Sequence, residues 1–144
     1  SMNPVSKEQL PFSPESVKYT GLFVNSPEHL LRQFPPRHEV VVAHHSTNWY
    51  KPTSLSELEI GKKSSLKIIG QAADDKCFAL MVENPKSKNQ YPHVTIFHSA
   101  DVSAVYANEL LERAVKEDGL EMFPEPIFVD VTEGYVGVDE QLVM

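Results

Sequence analysis

The sequence predicts an α+β domain, in which helices cover a β-sheet. Short runs of β-branched and aromatic residues, bounded by turn residues, recur along the chain, and two stretches carry apolar residues at helical spacing. The length of 144 residues, with 41% hydrophobic residues, suits one domain that has its own core.

Residues 1–16 are rich in proline, serine and glutamate, and we predict a flexible N-terminal arm there. Ser1-Met2 is typical of a cloning remnant and takes no part in the predicted fold. Residues 17–144 make up the single predicted domain.

The domain opens with a strand predicted over residues 19–24. A short helix follows, because Asn25 or Ser26 can cap it and Pro27 suits its first position. Residues 39–47 are predicted to form one continuous strand, whose three central valines indicate burial on both faces.

A loop that contains Trp49 and Tyr50 is predicted to follow. Two strands over residues 65–72 and 77–83 then turn at Asp74-Asp75. The later predicted strands cover residues 94–97, 127–131 and 135–138.

The clearest predicted helix lies between these later strands. Asp101 or Ser103 can cap it, and Gly119 is placed to end it. Its apolar positions follow helical spacing at Ala104, Ala107, Leu110, Leu111 and Ala114.

Charge and composition narrow the function classes. The chain carries 13 Lys and Arg residues against 20 Asp and Glu residues, which argues against a protein that wraps long nucleic acid. No apolar run approaches the ~20 residues of a membrane span, so we expect no membrane partner. The single Cys77 cannot form an internal disulfide, which suits a reducing compartment such as the cytoplasm or nucleus.

Two His-x-Thr motifs are the most informative feature of the chain. They are His45-Ser46-Thr47 and His93-Val94-Thr95, and each lies in a predicted strand. Side chains i and i+2 of a strand share a face, so each motif places an imidazole beside a hydroxyl. Two histidines can supply a general base and a general acid, and two hydroxyls can stabilise charge on phosphate oxygens. The pattern therefore predicts metal-free cleavage of a phosphodiester.

We expect no cofactor and no metal. A zinc site would need several of the histidines, but His44 and His45 are predicted to point to opposite faces of a strand and so cannot easily share an ion. His98 lies five residues after His93, and the same alternation predicts that it lies outside the cleft.

The motifs resemble those of the two-histidine (2H) phosphoesterase superfamily, which includes RNA 2′,5′-ligase-like proteins and tRNA-ligase-type cyclic phosphodiesterase domains. The resemblance covers residues 18 to 131. It is carried by His45-Ser46-Thr47, by Pro92-His93-Val94-Thr95-Ile96, by the doubled histidine at 44–45 and by the opening strand from Tyr19 to Phe23.

The resemblance implies a bilobal antiparallel-sheet fold, with helices on the outer faces and both motifs lining one groove. It implies a substrate with a 2′,3′-cyclic phosphate or a 2′,5′ linkage, in a small nucleotide or at an RNA 3′ end. His45 and His93 would be the acid and base, in an order that the sequence leaves open, and Thr47 and Thr95 would hold the phosphate. A larger RNA-repair or processing protein is the partner class implied, and we expect a monomer.

Two alternatives stay open. The first motif can also be read as His44 with Ser46, although His45 with Thr47 matches the second copy better. Ser46 and Asn48 are polar where the family motif is apolar, which favours a second hypothesis: a degenerate 2H module that binds an RNA end, a nucleotide or a protein without catalysis.

Other residues near the motifs are candidates for substrate binding. Trp49, Tyr50 and Tyr91 could stack on a base, and Lys51 could contact a flanking phosphate. We therefore predict a small or terminal substrate that is recognised by its phosphate and one or two bases.

Overall fold

The structure is a computed structural model in which residues 13–144 are described. These residues form eight strands and two α-helices after a 3-10 turn at Pro14–Ser16. In chain order they are β1 (Val17–Val24), α1 (Pro27–Gln33), β2 (Val40–Val41), β3 (His45–Tyr50), β4 (Lys63–Ala73), β5 (Cys77–Glu83), β6 (His93–His98), α2 (Tyr106–Lys116), β7 (Glu121–Gly137) and β8 (Leu142–Val143).

All strand pairs are antiparallel, and the predicted α+β class is confirmed. The order across the sheet is β2-β6-β5-β4-β7-β1-β3, with β8 on β7. Apart from the two-residue β2 at one edge, this order places three strands on each side of the boundary between β4 and β7. β4, β5 and β6 form one half, β7, β1 and β3 form the other, and each half ends in a strand that carries a His-x-Thr motif.

The two ends of the sheet meet. β2 pairs with β6 and β3 pairs with β1, yet only residues 42–44 separate β2 from β3. The amides of Val42 and Ala43 continue the contact with β6 by donating to the carbonyls of Ile96 and Thr95, at 2.9 and 2.8 Å. β3 therefore lies beside β6, although the strand order does not pair the two.

Two apolar clusters lie on opposite faces of this sheet. Core 1 takes residues from β1, β4, β5, β6 and β7, and Leu30 of α1 packs into it. Core 2 joins the apolar side of α2 to Ala72, Cys77 and Ala79 of β4 and β5. The clusters show which way the motif residues face, because alternate residues of β5 and β6 belong to different faces.

The strand predicted over residues 39–47 is broken in the structure, and that prediction was wrong in its continuity. Ala43 has φ 56°, a left-handed conformation that a strand cannot accommodate. The break lets the chain leave β6 and join β1. β3 then continues through Trp49 and Tyr50, which were predicted to lie in a loop.

The C-terminal part also differs from the predictions. β7 is one strand across Glu121–Gly137 rather than two, because Pro124 and Pro126 fall in a gap in its pairing with β4. α2 begins at Tyr106, and its N-cap position, Val105, makes no side-chain cap. The predicted caps Asp101 and Ser103 both precede this position, and the Asp101 carboxylate instead binds Lys76 and accepts a hydrogen bond from Ser99.

Most of the predicted N-terminal arm lies outside the described residues. Ser13 to Ser16 are ordered by a turn, and the Ser16 carbonyl accepts a hydrogen bond from the amide of Val138 at 2.9 Å. Within residues 13–144, neither helix is long and apolar enough to cross a membrane.

Candidate active site

The two motif strands pair with their neighbours in the same way. His45, Ser46 and Thr47 face Phe23, Leu22 and Gly21 of β1, and the next residue, Asn48, is an extra residue in the ladder. His93, Val94 and Thr95 face Met81, Leu80 and Ala79 of β5, and Ile96 is again an extra residue. Each motif thus ends at a β-bulge, a feature that often re-aims side chains beside active sites.

A small residue lies opposite each threonine. A Cβ atom on Gly21 would come within 2.8 Å of the Ser46 carbonyl oxygen, so this position needs glycine, and Ala79 is fully buried. The match in register, bulge position and residue size makes the two motifs pseudo-equivalent. The motif histidines, His45 and His93, are only 48 residues apart in the chain. This short spacing does not disturb the symmetry, because the symmetry lies in the order of the strands rather than in a sequence repeat.

The polar residues of the first motif have a structural role. The side-chain amide of Asn84 donates to Ser46 Oγ at 3.1 Å and to Asn48 Oδ1 at 2.7 Å, and all three residues are buried. Ser46 lies opposite Leu22 of core 1, so His45 and Thr47 lie on the other face. This geometry favours pairing His45 with Thr47, and it accounts for the departure from an apolar motif.

The second motif has the same orientation. Val94 and Ile96 belong to core 1, and His93 and Thr95 lie on the opposite face, across from Met81 and Ala79. Both His-Thr pairs therefore lie on the face that points away from core 1. Because β3 lies beside β6, the two pairs are neighbours on that face.

His98 does not lie where alternation predicts. The bulge at Ile96 shifts the pairing by one residue, so His98 pairs with Cys77, which shares a face with Ala79. The prediction that His98 faces away from His93 was therefore wrong. Its Nδ1 bonds the Ser99 carbonyl at 2.8 Å, and the side chain is buried.

His45 is surrounded by rings. Tyr19 stacks on it with ring centroids 4.7 Å apart, Phe23 lies at 5.7 Å and His44 at 4.6 Å. Sequence reasoning missed Tyr19 as a site residue. The period of two in β1 could have indicated it, since Tyr19 shares a face with Phe23.

The two motif histidines lie close enough for charge on His93 to affect the pKa of His45. Burial, together with positive charge on His44 and on His93, lowers the pKa of His45 to about 3, so these rings are within electrostatic reach of one another. Burial also lowers the pKa of His93, while the Tyr91 carbonyl, 2.7 Å from His93 Nδ1, opposes that shift. Both imidazoles are therefore neutral in most molecules near pH 7.

Four polar atoms of the motifs are available to a ligand. Within residues 13–144, Nε2 of both histidines and the hydroxyls of Thr47 and Thr95 make no hydrogen bond. No described side-chain nitrogen or oxygen atom is both fully enclosed and without a hydrogen bond, so each of these four atoms is accessible to solvent. The arrangement offers two proton-transfer atoms and two hydroxyl donors, and the Nδ1 atoms hold the rings from behind.

The four remaining candidates are not all brought to this face. Trp49 lies on the opposite face of β3, and the Lys88 ammonium is 4.3 Å from its ring centre. Tyr50 pairs with Tyr19 and so shares the face of His45, and Lys51 lies over the Tyr50 ring at 5.5 Å. The Tyr91 side chain packs against core 2, and its carbonyl positions His93.

The prediction that His44 and His45 point apart was wrong, because β3 begins at His45 and His44 lies outside it. Their Nδ1 atoms are 2.6 Å apart. Even so, among residues 13–144 no three His, Cys, Asp or Glu side chains are placed to hold a metal ion.

Comparison of the chain with models of known protein families and with curated proteins finds no match to either.

Proposed function

We propose that this protein is a metal-independent phosphodiesterase of the 2H type, which acts on a 2′,3′-cyclic phosphate or a 2′,5′ linkage. The observation that carries the proposal is the set of four available atoms on pseudo-equivalent strands: Nε2 of His45 and His93, and the hydroxyls of Thr47 and Thr95. The division of the sheet into two three-stranded halves, apart from the edge strand β2, supports the bilobal architecture of that superfamily.

The chemistry divides between the two halves. One imidazole accepts a proton from water, whose oxygen attacks phosphorus, and the other imidazole donates a proton to the ribose oxygen that leaves. The threonine hydroxyls donate to the non-bridging oxygens, where negative charge grows in the transition state. A bound phosphate also raises the pKa of both imidazoles, and this keeps one of them protonated in the complex.

The site suits a small or terminal substrate. The chain has a net charge of −7, so phosphate contacts along an extended strand would be few. Tyr19 and the exposed Tyr50 lie on the face of His45, as does the buried Phe23, and the two tyrosines are better placed than Trp49 to contact a base or ribose.

The test is hydrolysis of 2′,3′-cyclic nucleotides and 2′,5′-linked dinucleotides in EDTA. We expect His45→Ala and His93→Ala each to lose about 10²- to 10⁴-fold in kcat, and Thr47→Val and Thr95→Val to lose less. His29→Ala, which removes an exposed histidine of α1, is the matched control and keeps full activity. Equal turnover by the wild type and both histidine variants would refute the proposal.

A second candidate function is a 2H module that binds a nucleotide or RNA end without turnover. The observation that favours it is the burial of His93, which is 9% exposed and has a lowered pKa. Burial leaves less of this imidazole protonated, and only the protonated ring can donate a proton to the leaving oxygen. Tight binding of a nucleoside 2′- or 3′-monophosphate with no product from any substrate would favour this alternative. Turnover that depends on either histidine would exclude it.

A further inference from the structure

The imidazole rings of His44 and His45 are paired, and His44 has no role in the proposed mechanism. Their Nδ1 atoms are 2.6 Å apart, and the rings stack at 4.6 Å with an interplanar angle of 21°. At this distance a single proton lies between the two nitrogens, since two N–H groups would repel and two lone pairs would not bond.

The backbone holds His44 in this position. The left-handed Ala43 turns the chain just before it, and the Ala43 amide donates to the Thr95 carbonyl at 2.8 Å. The His44 carbonyl accepts from the Val24 amide at 2.9 Å. The backbone at Ala43 and His44 is therefore tied to β6 on one side and to β1 on the other, although His44 is an exposed residue.

The pseudo-equivalent histidine shows what such a partner does. Nδ1 of His93 lies 2.7 Å from the Tyr91 carbonyl, which can only accept, so Nδ1 carries the proton. Neutral His93 therefore presents the lone pair of Nε2. In the other half of the sheet, the atom that faces Nδ1 of His45 is Nδ1 of His44.

We propose that His44 is a positioning residue: it accepts the Nδ1 proton of His45 and so directs the Nε2 lone pair of His45 toward the substrate. The role in catalysis rests on the proposed function, whereas the hydrogen bond between the two rings is independent of it. His44 acts on His45 as the Tyr91 carbonyl acts on His93, with one difference: an imidazole can be protonated and a carbonyl cannot.

That difference makes the first motif sensitive to pH. When His44 takes up a proton, its Nδ1 becomes a donor and can no longer accept from His45. The ionisable groups that face the pair are Tyr19 of β1 and His93 of β6. Burial raises the pKa of Tyr19 to about 12, so Tyr19 stays neutral while the histidines titrate. His45 should then lose its single tautomer as His44 titrates.

Nitrogen-15 NMR of the imidazole rings tests this without any turnover. In the wild type we expect His45 in the Nδ1–H tautomer at neutral pH, and we expect its ring shifts to change at the midpoint of the His44 titration. His44→Phe keeps a ring in the stack but no acceptor, so His45 should become a mixture of tautomers. His44→Asn supplies an amide oxygen and should restore one tautomer. His29→Asn is the control and should change nothing at His45.

Activity gives the second readout. We expect His44→Phe to lower kcat about 10-fold with little change in KM, because only part of His45 then presents the Nε2 lone pair, and we expect His44→Asn to recover most of the loss. The acid limb of the wild-type pH profile should be steeper than that of His44→Asn, since two protonations rather than one remove activity. A His45 tautomer that is unchanged in His44→Phe and across the His44 titration would overturn the inference. If the NMR results agree with these predictions but no substrate is turned over, only the proposed function is overturned.

Discussion

Asn84 connects the loop after β5 to the first motif strand, and removing its side chain should destabilise both. Its side-chain amide donates to Ser46 Oγ and Asn48 Oδ1, at 3.1 and 2.7 Å, and its Oδ1 accepts from the Lys86 amide at 3.1 Å. The Lys88 amide in turn donates to the Asn48 carbonyl at 2.7 Å. The polar network is buried and belongs to the support of β3 rather than to the substrate face.

The cost of Asn84→Ala follows from these bonds. Losing the bond from the Lys86 amide costs about 1 kcal/mol, and leaving the buried Asn48 Oδ1 without a donor costs about 2 kcal/mol more. The total of about 3 kcal/mol should lower Tm by roughly 10 °C in a domain of this size. Because β3 carries His45 and Thr47, activity should fall as well, at temperatures where the variant is still folded.

Urea denaturation of wild type, Asn84→Ala and Asn108→Ala measures this. Asn108 is an exposed asparagine of α2, and its replacement should change the free energy of unfolding by less than about 0.5 kcal/mol. Hydrogen exchange at the Lys88 amide should speed up only in Asn84→Ala. Equal stability of the two variants would show that the buried network contributes little and that β3 is held by its strand pairing alone.

Three further predictions follow from other contacts. Lys86→Met leaves the buried Glu133 carboxylate without its ammonium partner at 2.8 Å. Urea denaturation should show that the free energy of unfolding falls by about 3 kcal/mol. Adding Glu133→Gln in a double variant should recover most of this loss. The pKa of His45 is about 3 in the folded protein and near its usual 6.5 in the unfolded chain, so the unfolded chain binds more protons between these values. The free energy of unfolding should therefore fall by up to about 4 kcal/mol as the pH is lowered from 6.5 toward 3. His45→Phe should remove this dependence on pH. Ala43→Gly should leave the free energy of unfolding within about 0.5 kcal/mol of wild type, because relief of the positive φ offsets the lost methyl group. Ala43→Val should lower it by about 2 kcal/mol or more. Equal stability of these two variants would contradict the strained turn at φ 56°.

The pseudo-symmetry of the sheet is the structural result with most bearing on function. A single active site built from two equivalent halves needs two strands that present the same groups to one face. In this sheet the two motifs have the same register against their neighbouring strands, and a bulge follows each threonine, at Asn48 and at Ile96. The helices do not share this symmetry: α1 lies between β1 and β3, whereas α2 follows β6.

Local periodicity was enough to predict several parts of this protein. The i and i+2 rule placed each histidine beside its threonine, and the apolar spacing of Ala107, Leu110, Leu111 and Ala114 indicated the buried side of α2. Such features depend on residues within one or two turns of chain. For that reason the strands near 17–24, 63–73, 77–83 and 93–98, and both helices, lie close to their predicted positions.

Tertiary structure decided which faces meet. A one-residue bulge at Ile96 moved His98 to the face of His93, and the left-handed Ala43 brought His44 beside His45, although alternation predicts the reverse in both cases. The partner of Ser46 and Asn48 is Asn84, more than 30 residues away in the sequence. Register and face depend on partners that are distant in the chain, and a single inserted residue reverses them. The sequence by itself therefore determined which chemical groups the site contains, and the pairing of distant strands determined that they lie together.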